Sequence, residues 1–113
     1  MFGKLINNIK TYSNRYLNGK DINETELKKY LKEGAILVDV RSPQEYREGH
    51  LDGAILIPEY ELNIKNLSKF RSKNELIVLY CSNGMRSRKA QKKLEKLGYL
   101  NVYNLDIDLN KVL

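Results

Sequence analysis

Four short apolar runs, Ala35 to Val38, Ala54 to Ile57, Leu76 to Tyr80 and Val102 to Leu105, are separated by stretches carrying helix start and stop signals. Runs this short and this apolar have no face to give to water, so they belong in a parallel sheet covered by helices on both sides. The fold class is α/β. Right-handed crossovers then bring the strand ends together along one carboxyl edge, where sheets of this kind carry their sites.

The helix signals are local and specific. Asn23 is followed by Glu26 in an N-x-x-E capping arrangement, Ile22 and Leu27 can staple the entry, and Gly34 stops the helix. That helix is expected to bury Leu27, Tyr30 and Leu31. Ser42-Pro43-Gln44-Glu45 offers a capping hydroxyl, a proline at the first helical position and a glutamate three residues after the cap; Gly49 closes it. Pro58 ends a strand, and Tyr60, Ile64 and Leu67 form a stripe that predicts a further helix before Leu76. Ala90, Leu94 and Leu97 mark the buried face of a helix capped by Gly98.

Residues 2 to 17 place Phe2, Leu5, Ile6, Ile9, Tyr12, Tyr16 and Leu17 near helical spacing, with basic charges between them. This predicts a basic amphipathic helix docked on the domain, its apolar face being short for a membrane surface. Asn18-Gly19-Lys20-Asp21 reads as a turn. Residues 1–20 are thus an N-terminal segment and 21–113 a single domain with a modest core, as 113 residues allow. No apolar stretch approaches the roughly 18 residues of a membrane span, and the first segment lacks the features of a signal peptide. The expected location is cytoplasmic.

Cys81 is the only cysteine, and it stands where the run Leu76 to Tyr80 gives way to Ser82-Asn83-Gly84-Met85-Arg86-Ser87 and then to a helical pattern. A loop at a helix start turns unpaired N–H groups inward and adds the positive end of the helix dipole, about half a charge. A free thiol with a pKa of about 8.5 is only a few per cent ionised at pH 7, whereas thiols at helix N-termini beside cations fall to about 3.5 to 7.5. Cys81 is therefore a candidate nucleophile. One cysteine excludes an internal disulfide, a multi-cysteine zinc site and an internal resolving thiol, so anything formed on Cys81 passes to an outside molecule unless two chains meet. No metal or cofactor is expected.

Leu37-Val38-Asp39-Val40-Arg41-Ser42-Pro43-Gln44-Glu45-Tyr46, then Gly49-His50-Leu51-Asp52-Gly53-Ala54, then Ile57-Pro58, resembles the opening signature of rhodanese domains. Cys81 to Ser87 resembles their active-site loop. The resemblance spans about Ile22 to Leu105 and implies a mostly parallel sheet of about five strands with helices on both faces. It also implies sulfur transfer: the Cys81 thiolate takes a sulfane sulfur from a donor such as thiosulfate or a protein persulfide, and a thiol or protein acceptor removes it. Ser82, Asn83, Gly84, Met85, Arg86 and Ser87 would form the persulfide-binding loop, with backbone N–H groups facing the sulfur, Gly84 allowing the turn and Arg86 completing the positive field. Asp39 and Arg41 would brace the end of the sheet, and His50, the only histidine, would be structural rather than a general base.

Loop length separates two chemistries that share this fold. Cys81 to Arg86 is C-x-x-x-x-R, the shorter loop of sulfurtransferases; the related phosphatases and arsenate reductases have one more residue to admit a tetrahedral oxyanion. The other reading is a binding or redox-sensing module in which Cys81 does not turn over. Arg86, Arg88, Lys89, Lys92, Lys93 and Lys96 follow the loop, in a chain of net charge +6, and could steer an anionic donor or an acidic partner. RNA is disfavoured, since no aromatic residues are interleaved with them. Relatives commonly close the domain after the last strand with a glycine pair and a helix, whereas this chain has Asp106-Ile107-Asp108, and residues 2 to 17 could replace that helix.

Overall fold

The computed structural model describes residues 20–63 and 67–113. Their elements run β1 (Asp21–Ile22), α1 (Glu24–Lys32), β2 (Ile36–Asp39), α2 (Pro43–Glu48), β3 (Ile55–Leu56), a 3-10 turn (Glu59–Glu61), β4 (Leu76–Tyr80), α3 (Met85–Lys96), β5 (Asn101–Leu105) and α4 (Leu109–Val112). The strands form one sheet in the order β1-β5-β4-β2-β3, and every pairing is parallel.

Strand alternation divides the core in two. Val38, Val40, Ile77, Leu79 and Val102 meet Ala90 and Leu94 of α3 on one face, while Ile22, Leu37, Val78, Tyr80 and Leu105 meet Leu27 of α1 and Leu109 of α4 on the other. Each fully buried aliphatic side chain of this kind contributes about 1.5–3 kcal/mol. The three interior strands β5, β4 and β2 are thus covered on two sides, the arrangement expected of apolar runs in a parallel sheet.

The capping signals form as read. Asn23 Oδ1 accepts from the Glu26 N–H at 2.9 Å while Glu26 Oε1 accepts from the Asn23 N–H at 3.0 Å. Ser42 and Glu45 make the same reciprocal pair at the start of α2, with Pro43 in its first turn. Gly34 and Gly98 follow the helix ends at φ +95° and +97°, where a side chain would be strained.

Four expectations are corrected. Asp21 is not in a turn: it pairs with Asn104 as the first residue of β1, because a fifth strand is needed to cover the open side of β5. Leu31 is 39% exposed and Tyr30 half-buried, since α1 turns mainly Leu27 to the sheet. The stripe Tyr60, Ile64, Leu67 makes no continuous helix in its described part. Leu62 adopts extended backbone directly after the 3-10 turn, and Tyr60 is 64% exposed while Leu62 and Leu67 are buried; Ile64 lies outside the described residues. Finally, β5 is not wholly apolar, because Asn104 is fully buried within it.

A closing helix does follow the last strand. Asp108 caps α4 by accepting from the Asn110 N–H at 3.2 Å, Leu109 is buried, and the Leu109 N–H donates to the Ser82 carbonyl at 3.2 Å. The expected helix over residues 2 to 17 and its suggested role in place of α4 fall outside the described residues. No helix among the described residues is long and apolar enough to cross a membrane.

Candidate active site

β4 delivers Cys81 to the carboxyl edge of the sheet, and α3 begins four residues later, after Gly84 has turned the chain at φ +94°. The sulfur therefore lies at the head of a 12-residue helix, in a residue only 1% exposed. The Gly84 N–H donates to Cys81 Sγ at 3.1 Å and the Ser87 N–H at 3.4 Å, with Ser87 Oγ 3.5 Å away. Burial pushes the Cys81 thiol up, but the Ser87 hydroxyl and the backbone N–H groups of Ser87, Asn83 and Gly84 outweigh it, so the net shift is downward. Donors already aimed at the sulfur favour its charged form.

Not every loop amide converges on that point. The Met85 N–H donates to Asn83 Oδ1 at 3.1 Å, which holds the lip of the loop, and the Met85 side chain is 74% exposed. Arg86 supplies less free positive charge than expected: its guanidinium grips Glu45 with Nη1 at 2.7 Å from Oε1 and Nη2 at 3.0 Å from Oε2. The Arg86 guanidinium holds the Glu45 carboxyl at about 2, against the opposing effect of burial and with help from Ser42. This fork ties the start of α2 to the start of α3 across the mouth of the loop.

Asp39, Arg41 and His50 surround the sheet end without touching the sulfur in any observed contact. Arg41 Nη2 lies 2.7 Å from Asp39 Oδ2 and donates to the Gly49 carbonyl at 2.6 Å, so this buried pair fastens the loop after α2 to the end of β2. Tyr80 Oη accepts from the Leu51 N–H at 3.0 Å, and burial pushes its phenol well above the usual range. His50 stacks on Tyr46 at 3.7 Å between ring centroids, and its Nδ1 donates to the Tyr46 carbonyl at 2.8 Å, a carbonyl being only an acceptor.

Sequence reasoning missed the polar residues behind the sulfur. Ser87 Oγ donates to Asn104 Oδ1 in a very short hydrogen bond, and Asn104 Nδ2 donates to Asp21 Oδ1 at 3.0 Å. Asp21 is paired with Arg88 Nη1 at 2.9 Å. The available signal was Asn104 interrupting the run Val102 to Leu105. Beside Ser82 and Asn83 opens a cavity of about 510 Å³, lined further by Asp106, Ile107, Asp108 and Asn110, so one rim of the site is acidic. The basic run is largely paired with carboxylates of other elements: Arg86 with Glu45, Arg88 with Asp21, and Lys89 and Lys93 with Glu59. Among the described residues no group of histidine, cysteine, aspartate and glutamate side chains is arranged to hold a metal ion.

The family model for the rhodanese-like domain matches residues 23–113. The chain is 36% identical over 104 residues to a tRNA uridine(34) hydroxylase of Buchnera aphidicola, covering 88% of this chain and 30% of that protein. It is 35% identical over 79 residues to the thiosulfate sulfurtransferase PspE of Escherichia coli, covering 66% of this chain and 76% of that one. The chain thus spans under a third of the first relative and about three quarters of the second. Among solved structures, a rhodanese-like domain protein from Staphylococcus aureus superposes with a TM-score of 0.69 at 34% identity, covering 80% of this chain and 88% of that one.

Proposed function

Because the chain belongs to the rhodanese-like domain family, we propose that it is a sulfurtransferase and that Cys81 carries the sulfur. The observation that supports this most directly is the Cys81 sulfur held by two backbone N–H groups at the head of α3, with its thiol shifted downward. A thiolate so placed attacks the sulfane sulfur of a donor. With thiosulfate, a new S–S bond forms to Cys81, the donor's S–S bond breaks, and sulfite leaves with the electron pair. The outer sulfur of the resulting persulfide carries the negative charge, and loop amides of residues 82–87 stabilise it. A nucleophilic acceptor, cyanide in the test tube or a thiol in the cell, takes that sulfur and returns the Cys81 thiolate.

Asp108, which lines the cavity beside Ser82 and Asn83, opposes a dianion there. Thiosulfate is therefore the assay donor and a protein-bound persulfide the better-matched physiological one. The supporting frame is Asp39 and Arg41, Glu45 and Arg86, and the stacked His50, each acting through loop position rather than on the sulfur. The experiment is the intact mass of the protein before and after thiosulfate, then after cyanide, with Cys81→Ser in parallel. A gain of about 32 Da on the wild type alone, lost to cyanide, is the expected result. Reaction without turnover would instead identify a sensing or binding module, and transfer surviving Cys81→Ser would overturn the mechanism.

A further inference from the structure

Ser87 has one hydroxyl proton and three neighbours able to accept it: Asn104 Oδ1, closest of the three, the Gly84 carbonyl at 3.1 Å, and Cys81 Sγ at 3.5 Å. The orientation of Asn104 decides which of them receives it. Asp21 is a carboxylate paired with Arg88 and offers only lone pairs, so the Asn104 amide must turn its NH₂ toward Asp21 and its oxygen toward Ser87. All three side chains are buried, and water cannot relieve the competition. The geometry points to Asn104, oriented by Asp21, as a positioning residue that competes with Cys81 for the Ser87 proton and so limits how far that hydroxyl can stabilise the thiolate.

The purpose of such a brake rests on the sulfur-carrier reading above. In the persulfide the charge sits on the outer sulfur, so the inner Sγ no longer needs the Ser87 proton and Asn104 can keep it without loss. Withholding the proton therefore disfavours the empty thiolate relative to the loaded carrier. It also leaves that thiolate a stronger nucleophile, because nucleophilicity falls as a thiol's pKa falls.

The charged groups on the surrounding elements are Arg86 with Glu45 of α2, Arg88 with Asp21 of β1, Asp39 with Arg41 at the end of β2, and Asp106 and Asp108 between β5 and α4. The test must separate the hydroxyl from these, and a double substitution does so. In the full chain, the pH profile of Cys81 alkylation by iodoacetamide reads the thiolate directly, there being no other cysteine and no sulfur donor in the assay. Asn104→Leu and Asp21→Asn should each move the profile down by about 0.5 to 1 pH unit, a three- to tenfold gain in thiolate on its acid limb. Asp21→Asn works because the new amide can donate to Asn104 and let it turn; being isosteric, it carries the test if Asn104→Leu does not fold. Ser87→Ala should move the profile up, and neither substitution should shift it further in the Ser87→Ala background. An unchanged profile in the folded single variants, or an equal downward shift without the Ser87 hydroxyl, would overturn the proposal. The mass assay with thiosulfate reports separately on sulfur transfer, so failure of that reading cannot be mistaken for failure of this one.

Discussion

At the scale of single residues, Gly84 is where backbone conformation and chemistry meet. Its φ of +94° is one that side chains rarely adopt, yet a Cβ there would find its nearest neighbour, Arg88 Nε, at an ordinary 3.9 Å. Sterics with neighbours therefore add nothing, and Gly84→Ala should lose stability through the backbone alone, by about 1–2 kcal/mol. A urea titration checks this; an unchanged midpoint would mean that the loop is not held at that conformation. Single residues were unevenly readable. Cys81, Gly84 and Ser87 stand in a contiguous motif, so their order along the chain already encodes their contacts. Asn104 and Asp21 carry no motif, and only the pairing of the two ends of the domain gives them a role.

The same division between local and distant signals governs the elements. Capping boxes at Asn23 and Ser42, and stops at Gly34 and Gly98, involve partners three or four residues apart, and all form as the sequence suggests. What could not be read is which element clamps which. Arg86 meets Glu45 across 41 positions, and that fork joins α2 to α3. Its contribution depends on pH with a definite sign. Glu45 titrates at about 2 when folded against an ordinary 4.5, so the clamp is intact above pH 4.5 and weakens as pH falls toward 2. With the two side chains 33% and 40% exposed, solvent screening keeps the effect within about 1 kcal/mol. Glu45→Gln should flatten the fall in stability between pH 4.5 and 2, measured by urea midpoints across that range; a slope as steep as the wild type's would assign the acid sensitivity elsewhere. The helix expected before β4 does not form in its described part for a related reason: Tyr60, Ile64 and Leu67 stand at helical spacing, but burial of Leu62 in extended backbone takes precedence over period.

For the molecule as a whole, composition gave the charge but not its use. A net charge of +6 and a run of cations after the nucleophile suggested long-range attraction of anions, yet four of those six cations are closed in ion pairs, leaving Lys92 and Lys96. Replacing both with glutamine should change kcat/KM for thiosulfate by less than about twofold at physiological salt, where exposed charges more than ~8 Å from the sulfur are screened. A larger drop, read from initial rates, would restore steering to the α3 face. The all-parallel sheet followed from four apolar runs, whereas the fifth strand, two residues long, was too short to leave a pattern. That strand has a consequence for the order of assembly. β1 pairs only with β5, so Asp21 and Asn104 meet across 83 positions of sequence. Such distant pairing is closed late and slowly, since the entropy of the intervening chain must be lost first. A growing chain can already carry Cys81 on β4 while β5 and Asn104 are still to come, and a half-folded chain can hold both before β1 has paired with β5. The thiol acquires its finished reactivity only when the two ends of the domain have met, so its alkylation rate doubles as a chemical clock for the final step of folding.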